Sequence, residues 1–126
     1  MDAPSPLGPT QQQRNWAMLA HLAGLAFLMP PFGNIIGPLL IWQIKRKELG
    51  EFVGASAREA LNFQFSFTVM VMFVASLNIL PIARVGSVSI LGLFVLVLLN
   101  LYSCVVAAIR SNEGEIFRYP YAFRPF

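Results

Sequence analysis

The chain has 126 residues, of which 56% are hydrophobic and only 12% are charged, and its net charge is +3. Soluble domains have about 45–50% apolar and about 25% charged residues, and a soluble protein this small could not bury so much apolar surface. The composition therefore excludes an ordinary soluble domain and predicts a membrane protein of one domain. The cations lie beside apolar segments, which indicates membrane topology and lipid headgroup contact rather than nucleic-acid binding.

The N-terminal region predicts a tail followed by a short helix. Residues 1–14 are rich in Pro, Gln and Ser and predict a disordered tail. A transmembrane helical domain over 15–110 follows, in which Asn15 can cap a helix from Trp16 to about Leu28. That helix would be roughly 20 Å long, short of the ~30 Å hydrocarbon core. Pro30 and Pro31 end it, because proline has no amide hydrogen.

The second helix begins after this proline-glycine turn. Asn34 can cap it, and it continues through Trp42 into a cationic cluster at Lys45–Glu48. The two short helices can form a hairpin, or they can make one kinked crossing. The apolar length from Trp16 to Ile44, about 43 Å if helical, is excessive for one span. The length therefore favours the hairpin, with three crossings and a kinked first span as the alternative.

The rest of the chain predicts an interfacial helix and two further spans. Residues 51–61 are mildly amphipathic, 62–80 and 87–109 are apolar runs, and 81–86 is a turn. Residues 111–126 form a C-terminal tail. We therefore predict an all-α fold: a small polytopic membrane protein built as a four-helix bundle with a short N-terminal helical hairpin.

The distribution of cations predicts the orientation. In the four-helix arrangement only Arg84 lies on one side, and eight of the nine cations lie on the other: Arg14, Lys45, Arg46, Lys47, Arg58, Arg110, Arg118 and Arg124. By the positive-inside rule, both termini are then cytoplasmic.

Several residues are candidates for packing or for contact with a partner. Gly33 and Gly37 have the small-x-x-x-small spacing that lets membrane helices approach closely. Arg58 and Glu59, with two amides just beyond, form the densest polar group near a predicted span. It can be a solvated interfacial face or a docking site. The packing and partner candidates are Gly33, Asn34, Gly37, Pro38, Trp42, Arg58, Glu59, Asn62 and Gln64.

A second group of residues could line a polar pathway. His21, Asn78 and Asn100 place polar side chains in or beside the predicted spans, where ionisable groups are costly. Such amides also hydrogen-bond between helices, worth about 0.6–2 kcal/mol each. Both interpretations remain open at the level of sequence.

The sequence has no pattern typical of an enzyme. It contains no nucleophile–base pair, phosphate loop, paired carboxylates or metal-ligand cluster, and Cys104 is the only cysteine. We therefore predict a non-enzymatic protein with no cofactor and no metal site.

Several motifs resemble one family. They are His21–Gly24, Pro31–Leu39 with Trp42 and Lys45, Glu59–Gln64, and Arg118–Pro120. Together they are similar to the small bacterial membrane proteins of domain of unknown function 4870, which are grouped with the import-channel subunit of the chloroplast inner-envelope Tic complex. The resemblance implies a four-helix membrane protein of the bacterial inner membrane and brings no established activity.

The prediction for function is an integral membrane accessory protein or complex subunit that works through helix packing and interfacial contacts. Its partners would be membrane lipid and another membrane protein or a second copy of the chain. The alternative is a transporter or channel component with an amide-lined pathway.

Overall fold

The computed structural model describes residues 8–28 and 32–126, without the side chains of 26–28. It has four α-helices and, within these ranges, no strand, which confirms the all-α prediction. The helices are α1 (Gln11–Leu22), extended by a 3-10 segment (Ala23–Leu28), α2 (Gly33–Leu49), α3 (Glu51–Ser76), extended by a 3-10 turn (Leu77–Ile79), and α4 (Ala83–Asn112).

Helix α1 begins earlier than the sequence predicted, at Gln11 rather than after Asn15. The cause is a capping box, in which the Thr10 hydroxyl accepts from Gln13 N at 3.2 Å and Thr10 N donates to Gln13 Oε1 at 2.8 Å. These bonds satisfy two amides at the start of the helix. The predicted disordered tail is therefore too long, and its residues 1–7 lie outside the described part of the chain.

Helices α1 and α2 are antiparallel neighbours. Gln13 Nε2 donates to the Leu49 carbonyl at 2.7 Å, and Lys45 Nζ lies 4.5 Å from the centroid of a Trp16 ring. Both contacts join the start of α1 to the end of α2, which is the hairpin arrangement rather than one kinked helix. Residues 29–31, which include both prolines of the predicted turn, lie outside the described residues.

A single residue joins α2 to α3. Gly50 has φ 91° and ψ −176°, a region that side chains with a Cβ rarely adopt. Helix α3 is continuous over Glu51–Ser76, so the separate interfacial helix predicted for 51–61 is wrong. The segment around Ala57, Ala60 and Leu61 consists of good helix formers with no proline, and nothing interrupts the helix there.

The four helices differ in length. At 1.5 Å per residue, the 17 residues of α2 extend about 25 Å and the 26 residues of α3 about 39 Å. The first hairpin therefore covers α3 only to about Thr68, to which Asn34 is bonded. Beyond that level α3 and α4 continue as a pair. We call this part, from about Val69 through the first half of α4, the far half. Large apolar side chains are exposed there: Val69, Met70, Met72, Phe73, Val88, Ile90, Leu91 and Phe94.

Two of the described helices are long and apolar enough to cross a membrane: Glu51–Ile79 and Ala83–Asn112. By length and composition the second pair of helices therefore qualifies as candidate spans, whereas the number of crossings stays a prediction. Helix α1 is too short and too polar, with three glutamines, Arg14 and Asn15 in its first half. We call the end of the bundle at which α1 begins and α4 ends the charged half. All the described charged side chains except that of Arg84 lie there.

The C-terminal residues after α4 pack onto the bundle. Asn112 Nδ2 donates to Asn15 Oδ1 at 3.1 Å, so the end of α4 lies beside the start of α1. Residues 113–126 then run back along α3, and Tyr119 is completely buried among the helices.

Candidate functional site

A layer of buried amides connects three helices at mid-height. Gln64 Oε1 on α3 accepts from Asn34 Nδ2 of α2 at 3.0 Å and from Asn100 Nδ2 of α4 at 3.1 Å. Gln64 Nε2 donates to Cys104 Sγ at 3.1 Å. All four side chains are buried. Because the groups satisfy one another where water is excluded, this amide layer orients the helices.

The 3-10 extension of α1 packs directly against this layer. A Cβ placed on Gly24 would overlap the side-chain amide of Gln64, and one placed on Gly37 would lie 2.8 Å from the Cβ of Ala23. The absence of a Cβ at Gly24 leaves room for the Gln64 side chain, and at Gly37 it permits close approach to the backbone of Ala23. Of the two glycines in the Gly33-x-x-x-Gly37 spacing, Gly37 therefore packs within the protein, against Ala23.

The C-terminal tail is attached to the bundle by a buried aromatic cluster. The ring of Tyr119 stacks on Phe63 of α3, with centroids 4.0 Å apart and planes 7° apart. The Tyr119 hydroxyl lies 2.7 Å from Nδ1 of His21, which is itself fully buried on α1. Burial raises the pKa of Tyr119 well above its ordinary value, so the hydroxyl keeps its proton and can donate to Nδ1. His21 Nε2 has no hydrogen-bond partner among the described residues.

A buried carboxylate provides the polar anchor of the tail. Glu59 Oε1 accepts from Arg124 Nε at 2.8 Å, and Glu59 Oε2 accepts from Arg124 Nη2 at 3.2 Å and from Tyr119 N at 3.3 Å. Arg124 Nη2 also donates to the Tyr119 carbonyl at 2.7 Å. The hydrogen bond to Glu59 raises the pKa of Arg124. Such a two-point, charge-assisted contact fixes orientation as well as distance.

Two further side chains of α3 bind the tail backbone. Asn62 Oδ1 accepts from Phe126 N at 3.0 Å, and Ser66 Oγ accepts from Phe123 N at 2.7 Å. With Glu59, these residues recur every three or four positions and therefore share one face of the helix. The face that the sequence offered as a docking site is occupied by the chain's own tail.

The structure brings some of the predicted residues together and leaves others apart. His21, Asn34, Glu59, Asn62, Gln64 and Asn100 lie in the amide layer or the tail anchor. Asn78 is exposed and donates to the Ala75 carbonyl at 3.1 Å within its own turn. Arg58 is exposed and pairs with Glu51 at 3.5 Å.

The remaining candidates belong to α2. Asn34 does not cap α2 as predicted, because the helix starts two residues earlier, at Gly33, and its cap position is the left-handed Phe32. Its side chain bonds to α3 instead. Pro38 is buried, and Trp42 contacts the ring of Phe126 with centroids 6.4 Å apart.

Several residues of this site were not singled out as candidates from the sequence, above all Tyr119 and Arg124, and also Phe63, Ser66, Cys104 and Phe126. Tyr119 belongs to a motif of the family resemblance, but its burial was not foreseen. Glu59 offered the one available signal, since a carboxylate beside an apolar run requires a cationic partner. The sequence could not choose among the cations, because the tail has no periodicity that fixes its path.

The fold and its buried polar contacts define a small helical membrane protein with a docked C-terminal tail. Residues 12–126 match the model of the magnetosome magnetite crystal formation protein family, MamF/MmsF, and the chain belongs to this family. It is thus a magnetosome membrane protein of a family involved in magnetite crystal formation. No curated protein and no solved structure matches the chain.

The family match corrects the resemblance to domain of unknown function 4870 and to the Tic subunit. The motifs that carried the resemblance include Gly24, Asn34, Gln64 and Tyr119, whose contacts hold the bundle together. Such residues report how helices pack and do not identify a function. Membrane association follows from the family, whereas the inner membrane, the number of crossings and the side of the termini remain predictions.

Proposed function

We propose that this chain is a non-enzymatic accessory subunit of the magnetosome membrane, which affects crystal formation through contacts with other membrane components. The observation that carries the proposal is the separation of charge along the bundle. The described charges other than Arg84 lie in the charged half, and the far half presents apolar side chains. By the positive-inside rule, the charged half faces the cytoplasm.

This separation supports an indirect role in crystal formation. Hard cations are bound in proteins by oxygen ligands, chiefly carboxylates. The described residues from Leu77 through the first turn of α4 contain Asn78 and Arg84 but no carboxylate. The surface opposite the charged half therefore offers little to a cation or a crystal face. Influence on the crystal would instead pass through proteins that this subunit contacts.

The alternative, a transporter or channel component, has less support. Asn34 and Asn100 each donate to Gln64, and Asn62 accepts from the tail. Asn78 lies apart from them and is exposed. Amides that satisfy each other in a packed layer stabilise the bundle and leave few groups free to coordinate a passing solute.

The proposal is tested by placing a photo-reactive amino acid at single positions in magnetosome-forming cells. Phe73 in the far half and Tyr121 on the tail are suitable, because their exposed fractions are 66% and 87%. A discrete protein adduct at either site is expected, and its mass separates another protein from a second copy of the chain. Leu61, which is fully buried on α3 and has no part in the amide layer or the tail anchor, provides the control position that should give none. Lipid adducts alone at both sites would contradict the accessory role.

A further inference from the structure

A cavity of about 250 Å³ lies between the docked tail and the first half of α3. Three guanidinium groups line it, from Arg58 on α3 and from Arg118 and Arg124 on the tail. Among the described residues, Glu59 is the one acidic side chain in its wall, and Ile116 and Phe126 add apolar surface. The cavity therefore combines an excess of positive charge with an apolar side.

The charges of Glu59 and Arg124 cancel within the wall. Both oxygens of Glu59 are bonded to Arg124, and Arg124 donates in addition to the carbonyls of Tyr119 and Ala122. This pair holds the tail in place and has little capacity left for a ligand. Arg124 is consequently a positioning residue of the cavity.

Arg58 and Arg118 keep most of their donors free. Arg58 pairs with Glu51 at 3.5 Å, but the two side chains are 44% and 77% exposed, and such surface pairs contribute little. Arg118 lies 3.9 Å from a Glu59 oxygen that Arg124 already occupies, and its side chain is 70% exposed. The two guanidinium groups lie on different segments and border the same space.

The chemistry of these groups selects the ligand. A guanidinium presents a planar fork of N–H donors that matches the oxygens of a phosphate. The cavity adjoins the residues where the apolar run of α3 begins, and basic pockets beside membrane spans bind anionic lipid headgroups. A free phosphate ion would use the same donors but would gain nothing from Ile116 and Phe126.

We propose that this cavity binds the phosphate of an anionic phospholipid headgroup, held between Arg58 and Arg118. The bound headgroup would connect α3 to the tail and add to the contacts made by Glu59, Asn62 and Ser66. Lipid capture requires no protein partner, so its outcome is separable from that of the cross-linking experiment.

The test uses the purified full chain in neutral detergent, titrated with short-chain phosphatidylglycerol, short-chain phosphatidylcholine or inorganic phosphate. Bound lipid is counted by native mass spectrometry. The variant is R58A/R118A, and the matched control is R84A/R110A, which removes the same charge from residues outside the cavity wall. We expect phosphatidylglycerol to bind in preference to phosphatidylcholine. We also expect R58A/R118A to weaken that binding by about tenfold or more, because charge-assisted bonds are lost, and the control to stay within about twofold.

Three results would overturn the proposal: equal binding of the two lipids, equal losses in the two double variants, or inorganic phosphate that displaces phosphatidylglycerol at comparable concentration. The variant R58K/R118K guards against a misfolded alanine variant. It keeps both charges but lacks the planar fork, and binding between wild type and R58A/R118A is expected. If the lysine variant binds no better than the alanine variant while both melt as wild type does, charge has no part in the binding and the proposal fails.

Discussion

The side-chain amide of Gln64 joins three helices, α2, α3 and α4. Replacing Gln64 by Ala leaves the amides of Asn34 and Asn100 with fewer partners in a region without water. We expect the free energy of unfolding in detergent to fall by about 1–3 kcal/mol. A thermal melt measures it, with Asn78→Ala as the control, because Asn78 is exposed and donates only within its own turn, to the Ala75 carbonyl.

Glu59 is the residue on which tail docking depends. The Glu59→Gln substitution removes the charge that Arg124 neutralises and one of the acceptors for its guanidinium. The tail should detach more often, and limited proteolysis after α4 should become faster while the helices remain protected. Glu115→Gln is the matched control, because Glu115 is exposed and forms a 3.5 Å pair with Arg110. Equal cleavage of both variants and wild type would show that Glu59 does not hold the tail.

At the scale of elements, the turn between α2 and α3 is set by one backbone conformation. Gly50 has a positive φ, so Gly50→Ala should lower the free energy of unfolding by roughly 1 kcal/mol or more. Gly92→Ala is the comparison, since its new Cβ would lie 3.6 Å from Val74, an ordinary contact, within a helix. A thermal melt should show a loss for the first variant and none for the second. A larger loss of stability for Gly92→Ala than for Gly50→Ala would mean that a side chain at position 50 does not strain the turn.

The helices were largely predictable from the sequence, whereas the tail was not. Apolar runs and punctuating residues such as Gly50 and Pro81 indicate where α3 and α4 lie. Their exact bounds were missed, since α3 includes the predicted interfacial segment 51–61 and α4 begins at Ala83 rather than at 87. The Thr10 and Gln13 pair of the capping box is also visible in the sequence, although the prediction placed the cap at Asn15. The contact between His21 and Tyr119 joins residues 98 positions apart, and no local pattern encodes it. Irregular segments take their path from the surface on which they pack.

At the scale of the whole molecule, charge separation predicts orientation. Reporter tags at the N-terminus, in 45–51 and at the C-terminus should all report the cytoplasm, and a tag in 80–82 should report the opposite side. The tag in 80–82 is the internal control, because it lies between the two candidate spans. An N-terminal tag that reports the opposite side would contradict this orientation, because the antiparallel hairpin of α1 and α2 places the N-terminus at the charged half.

In the proposed orientation, with α3 and α4 crossing the membrane, the unequal lengths of the two hairpins would give the protein a different width in each leaflet. Its cross-section contains four helices and the tail at one level, but only the pair α3 and α4 at the other. A body that tapers in this way displaces more lipid on its wide side and is accommodated best where that leaflet is expanded. With the charged half toward the cytoplasm, the wide side lies in the cytoplasmic leaflet. The taper then matches a membrane that is convex toward the cytoplasm, as the outer face of a vesicle is.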